Sequence, residues 1–133
     1  MKIFEGTPKG DYGEKVNFVD DNNVFVGYDM EQDCCEQADW FIADEVAVKM
    51  PEKLNNGEGL EGYSFDPNYM EEKDSLEYSD MEENSLDEGG MVVFRLFGDG
   101  ADKFLHLFNC HNGYYGHGFT FKIGDTVKHE GCL

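Results

Sequence analysis

Two stretches of the chain, residues 15–30 and 91–123, repeat their apolar side chains with a strand-like spacing. Val16 and Phe18 take alternate positions of one run, and Val24, Val26, Tyr28 and Met30 take alternate positions of the next. Successive side chains of a strand point to opposite faces, so a period of two predicts β-structure with one buried face. Between the first two runs lies Asp20-Asp21-Asn22-Asn23, which is turn chemistry, and the pair is expected to form a β-hairpin. The same turn lacks the alternate acids, central glycine and terminal glutamate of a calcium loop.

The strongest strand signal is residues 91–97, MVVFRLF. Residues 103–111 and 119–123 follow as two further strands. A simple hairpin across residues 98–102 places Phe97 opposite Lys103, Phe94 opposite His106 and Val92 opposite Phe108. A second hairpin across residues 112–116 places His111 opposite His117, Asn109 opposite Phe119, Leu107 opposite Phe121 and Leu105 opposite Ile123. The face bearing Val93, Arg95, Leu105, Leu107, Phe119 and Phe121 is then the main core. The face bearing Val92, Phe94, Phe104, His106 and Phe108 is a lesser one, covered by residues 34–43. A slip of one residue exchanges the two faces of a whole strand.

Elsewhere the pattern is thinner. Residues 3–5 and 62–65 read as short strands, and Asp66-Pro67-Asn68 as a turn. A helical turn is expected around residues 33–37, followed by a strand over 39–43. Residues 70–90 hold nine acids against Lys73 and read as an acidic insertion, helical or looped. The tail, residues 125–133, is weakly patterned. The expected fold is therefore α+β but mostly β. It is a single domain over residues 1–133, built on a curved antiparallel sheet or partial barrel of about six strands with little helix.

Charge narrows the partners. The formal net charge is −19. Residues 1–69 carry 16 acids and 5 bases, residues 70–90 carry 9 and 1, and residues 91–133 carry 4 and 4. Such a surface repels nucleic acid and membrane, and it attracts a basic protein. No apolar run is long enough to span a bilayer and no leader is visible, so a cytoplasmic location is expected. No cofactor is expected. The four cysteines form no disulfide framework and are read as free thiols.

The candidate site residues fall on one loop. Asn112, Tyr114 and Tyr115 make a tight aromatic turn flanked by His111 and His117. Adjacent tyrosines on a short loop diverge and do not both bury, and exposed tyrosines beside histidines suit binding. A metal would draw on His111, His117, Cys34 and Cys35. His106 and Cys110 share a strand face but stand about 13 Å apart, too far to share one ion. A cysteine nucleophile at Cys34 or Cys35 is opposed by Asp33, Glu36 and Asp39, whose charge disfavours a thiolate. His106 reads as a core histidine.

At Cys34-Cys35-Glu36 and Asn112-Gly113-Tyr114-Tyr115 the chain resembles a little-characterised family of small phage and bacterial proteins, a domain of unknown function. The likeness covers residues 16–43 and 91–123. The chain departs from it at Gly116-His117, where many members carry a Ser-Glu step. The resemblance implies no reaction and no cofactor, and its mobile-element setting implies an inhibitor or immunity role. The functional expectation is non-enzymatic: a small acidic protein that binds a basic macromolecular partner. Two alternatives stand beside it. One is a thiol- or metal-dependent enzyme using Cys34, Cys35 and the histidines. The other is a small-molecule sponge built on the Tyr114–Tyr115 loop.

Overall fold

A computed structural model describes residues 1–6, 15–29, 37–46, 60–73, 88–111 and 118–133. The described residues form nine strands and no helix. They are β1 (Lys2–Gly6), β2 (Lys15–Val19), β3 (Val24–Asp29), β4 (Gln37–Ala43), β5 (Ser64–Lys73), β6 (Glu88–Phe97), β7 (Lys103–His111), β8 (Gly118–Ile123) and β9 (Thr126–Cys132). Sheet A has the order β1-β2-β3-β8-β9, and sheet B has the order β4-β7-β6-β5. Every pairing is antiparallel. The expectation of a mostly β, antiparallel fold holds. A single curved sheet or partial barrel does not, because there are two sheets and neither closes. The helical turn expected at residues 33–37 falls almost wholly outside the described residues. Its last residue, Gln37, begins β4.

The expected β2–β3 hairpin forms, with Val16 opposite Tyr28 and Phe18 opposite Val26. Their side chains are buried between the sheets with Val24, Phe119 and Phe121 from sheet A and Trp40, Phe94, Leu105 and Leu107 from sheet B. Aromatic edges interlock across the gap: Phe18 meets Trp40 at 4.9 Å and 84°, and Phe94 meets Phe121 at 5.1 Å and 68°. Each fully buried side chain of this size contributes about 1.5–3 kcal/mol relative to exposure. The Tyr28 hydroxyl crosses the core and donates to the Phe108 carbonyl at 2.7 Å, so the phenol tip is satisfied in an apolar layer.

The turn that joins β2 to β3 is held by its first residue. Asp20 is only 6% exposed. Its Oδ1 accepts from the amides of Asn22 and Val24, both at 2.9 Å. Its Oδ2 accepts from the amide of Phe65 at 2.8 Å. One carboxylate therefore ties the sheet A turn to the start of β5 in sheet B. Asn23 takes the left-handed conformation at φ 63°, which asparagine tolerates better than most residues.

The last three strands depart from the expected register. Leu96, not Phe97, stands opposite Lys103, so Phe94 faces Leu105 and Val93 faces His106. The slip of one residue turns Val92, Phe94 and Leu96 inward and Val93 outward. A tertiary contact sets it. The Tyr63 ring lies against Gly98, where an added Cβ would stand 2.7 Å from the ring, and the Tyr63 hydroxyl donates to the Ala101 carbonyl at 2.9 Å. Arg95 also pairs with Asp102 across the same loop, its Nε donating at 3.0 Å. Phe97 is left 41% exposed, with the Arg95 guanidinium carbon 4.8 Å from its ring centre.

The expected β7–β8 hairpin does not form. β7 pairs with β4 and β6, and β8 pairs with β3 and β9. The chain leaves sheet B at His111 and re-enters in sheet A at Gly118. The pairings of Asn109 with Phe119, Leu107 with Phe121 and Leu105 with Ile123 are therefore replaced, and the expected His111–His117 pair falls on His117, outside the described residues. Leu105, Leu107, Phe119 and Phe121 still meet, but across the sandwich and not within one sheet.

Three smaller expectations are corrected. Residues 70–73 and 88–90 belong to β5 and β6, so the acidic insertion does not span residues 70–90. Residues 74–87 are outside the described residues. Asp66-Pro67-Asn68 does make a local turn, with the Asn68 amide on Asp66 Oδ1 at 2.9 Å, but it is an irregularity within β5. That strand is an edge, where a proline without an N–H is tolerated. The tail forms β9, an edge strand lying mostly in water.

Candidate binding face

Asn112, Tyr114, Tyr115 and His117 lie outside the described residues, as do Cys34 and Cys35. His111 is the last residue of β7, with only its backbone described. Among the described residues no group of three or more His, Cys, Asp or Glu side chains could hold a metal ion. His106 is a core residue, as its setting in the sequence suggested. It is fully buried, stacks on Phe41 at 4.2 Å and 8°, and holds Nδ1 3.1 Å from the Phe104 carbonyl. Its cross-strand neighbours are Val93 and Phe41, not Phe94. Cys132 is a free, exposed thiol.

The buried Asp20 carboxylate has both oxygens engaged by backbone amides, which makes it a structural clamp and not an acid–base group. The ionic cluster on sheet B is also internally paired. Arg95 is held above its ordinary range first by its hydrogen bond to Asp102. Tyr69 donates to Glu71 Oε2 at 2.8 Å, and its hydroxyl is raised first by burial and then by Glu71, with Arg95 opposing.

The outer face of sheet A offers a concave surface. Pairing aligns its outward residues in rows across the strands. One row runs Phe4, Asn17, Gly27, Thr120, Glu130. The next holds Lys15 opposite Asp29 and Gly118 opposite Cys132. A third runs Val19, Phe25, Lys122, Val127. Gly118 is exposed and raises no side chain, and the surface beside it holds a groove of about 560 Å³ whose lining also includes Gly27, buried beneath the Phe25 ring. Lys15, Asn17, Phe25, Asp29, Thr120 and Glu130 are among the residues that line it.

The groove depends on Gly27. The Phe25 ring leans along its own strand over that position, and a Cβ there would stand 2.9 Å from the ring and 3.0 Å from Asn17 Oδ1. Lys122 Nζ sits 5.8 Å from the centre of the same ring. The exposed apolar residues Phe4 (55%) and Val127 (47%) flank the face on its two outer strands. This is a surface with an aromatic wall, amide and hydroxyl groups, and charges of both signs. Its lining also includes the exposed thiol of Cys132. The signal was in the sequence: a glycine inside the strand run Val-Phe-Val-Gly-Tyr-Asp marks a place where something approaches the backbone closely.

Comparison with protein families, with curated proteins and with solved structures finds no match to the chain. Among the described residues no helix is long and apolar enough to cross a membrane.

Proposed function

We propose that this chain is a binding protein that captures a basic macromolecular partner in the cytoplasm, in the manner of an anti-defence inhibitor or a toxin-neutralising immunity protein. The observation that carries this reading is the charge: 29 acids against 10 bases in 133 residues. A field of that sign steers cationic proteins toward the surface and repels nucleic acid and anionic membranes. The exposed carboxylates include Asp21, Glu61, Glu72, Asp99, Asp125 and Glu130, spread over both sheets and their turns. The likeness of the Cys34-Cys35-Glu36 and Asn112–Tyr115 segments to phage and bacterial proteins supports the inhibitor variant.

The test is salt-dependent binding of a defined cationic probe. A labelled arginine-containing peptide is titrated with the protein at low salt and again at high salt. Binding at low salt that falls steeply as salt rises is the expected outcome. Absence of binding at low salt, or binding indifferent to salt, overturns the proposal.

A further inference from the structure

We propose that the groove on the outer face of sheet A is the seat of a guanidinium side chain from an extended segment of the partner, stacked on Phe25 and ion-paired with Glu130. This rests on the basic-partner reading above and adds where and how the contact is made.

The row Gly27, Thr120, Glu130 crosses three adjacent strands. Neighbouring strands stand about 4.8 Å apart, so Gly27 and Glu130 are about 10 Å apart. The Phe25 ring covers the Gly27 end of the row, and the short Thr120 side chain leaves the middle low. An arginine laid along this row meets an aromatic face first and a carboxylate at its far end. Its length and planar head suit both contacts.

Around the groove stand two lysines, Lys15 and Lys122, and two carboxylates, Asp29 and Glu130. These charges balance, so what selects an occupant is where each one stands. Lys15 and Asp29 are direct cross-strand neighbours and offset each other. Lys122 already places its ammonium 5.8 Å from the Phe25 ring, so that ring receives a cation from its own chain. Glu130 is exposed and has no ion pair among the described residues. A free carboxylate at one end of an aromatic-walled groove attracts a cation and disfavours an anion. Guanidinium is preferred over ammonium because it stacks on a ring and pairs with a carboxylate through two N–H groups at once.

The experiment uses two labelled peptides of equal length, one of alternating serine and arginine, the other of alternating serine and lysine. Binding is read by fluorescence anisotropy at low salt. The arginine peptide is expected to bind more tightly than the lysine peptide. Glu130→Gln and Phe25→Leu are each expected to weaken the arginine peptide by about threefold. Asp21→Asn and Asp125→Asn each remove one exposed carboxylate outside the groove, and they are expected to have less than half that effect. Unchanged urea midpoints show that each variant is folded. If Glu130→Gln behaves like Asp21→Asn while the wild type still binds, the groove is not the seat, and basic capture survives without it. If the two peptides bind equally, the guanidinium assignment is overturned. If neither binds the wild type, the basic-partner reading falls and the groove assignment falls with it.

Discussion

The outer faces of the two sheets are built from the same kind of strand and do opposite things. On sheet B, Phe41, Met91, Val93, His106 and Phe108 are almost fully buried, with Tyr69, Phe104, Ala43 and Val46 packed against their apolar cluster. On sheet A the outer face stays open, holds the groove beside Gly118 and carries Phe4 and Val127 into water. Sheet B is therefore buried on both faces, and sheet A is open to solvent on one. The difference is chemical before it is geometric. Strands β6 and β7 read Met-Val-Val-Phe and Phe-Leu-His-Leu-Phe, almost without a polar break. Strands β2 and β3 alternate, placing Asn17 and Gly27 outside and Val16, Phe18 and Val26 inside. A run apolar at every position buries both faces; an alternating one buries a single face.

The sharpest way to break this comparison is to truncate one aromatic on each face. Phe108→Ala should cost about 3–5 kcal/mol in urea denaturation, the range for removing a buried phenylalanine. Phe4→Ala, on the open face, should change stability by less than about 0.5 kcal/mol. Similar losses at both positions would mean that the two faces are equally buried or equally free.

Next in size is the link between the sheets. Asp20→Ala leaves the amides of Asn22, Val24 and Phe65 without their acceptor and should cost about 3 kcal/mol. Asp20→Asn keeps one acceptor oxygen and should lose less. An alanine variant within experimental error of the wild type would remove the clamp from the account.

Tyr28→Phe deletes the hydroxyl that crosses the core to Phe108 and should cost about 1 kcal/mol, leaving that carbonyl without this donor. A loss nearer the Asp20→Ala value would make the phenol, not the carboxylate, the main polar tie between the layers.

The smallest effect concerns the covered face alone and is read against pH. Burial and Glu71 raise the Tyr69 hydroxyl above its ordinary value near 10. The folded state therefore holds this proton more tightly than the unfolded state. Its contribution is complete below the unfolded pKa and is lost as pH rises through the folded pKa. Wild-type stability relative to Tyr69→Phe should stay constant from neutral pH up to about 10, where this contribution is complete, and fall as pH is taken higher. A difference that grows toward acid would contradict the sign.

Much of the fold was legible where local pattern and local turn agreed. The β2–β3 hairpin, with alternating runs around Asp-Asp-Asn-Asn, was readable as a hairpin with one buried face. The β6–β7 pairing was readable, but its register was not, because a distant residue set the loop. Tyr63 fills the space over Gly98 and binds Ala101, a contact that nothing within residues 91–111 announces. The β7–β8 connection misled for a related reason. Two apolar runs separated by Asn-Gly read as a hairpin, yet the same runs bury as much surface by facing each other across a sandwich. Strand β9 was missed because Thr-Val-Lys-His-Glu-Gly-Cys carries no apolar alternation; β8 makes it a strand by offering an edge. As for the candidate face, Phe25 and Gly27 were visible as strand residues. Only strand order brings Glu130 of the last strand within two strands of them.

The Asp20 carboxylate has a consequence for how the molecule opens. The amides it holds belong to two different sheets: Val24 begins β3, and Phe65 lies near the start of β5. In amide hydrogen exchange such protons are released by the fluctuation that frees their shared acceptor. Val24 and Phe65 should therefore exchange at one rate and slow together, although 41 residues of chain separate them. Peeling either sheet alone exposes a buried anion in the other. The two layers are thereby fused into one cooperative unit.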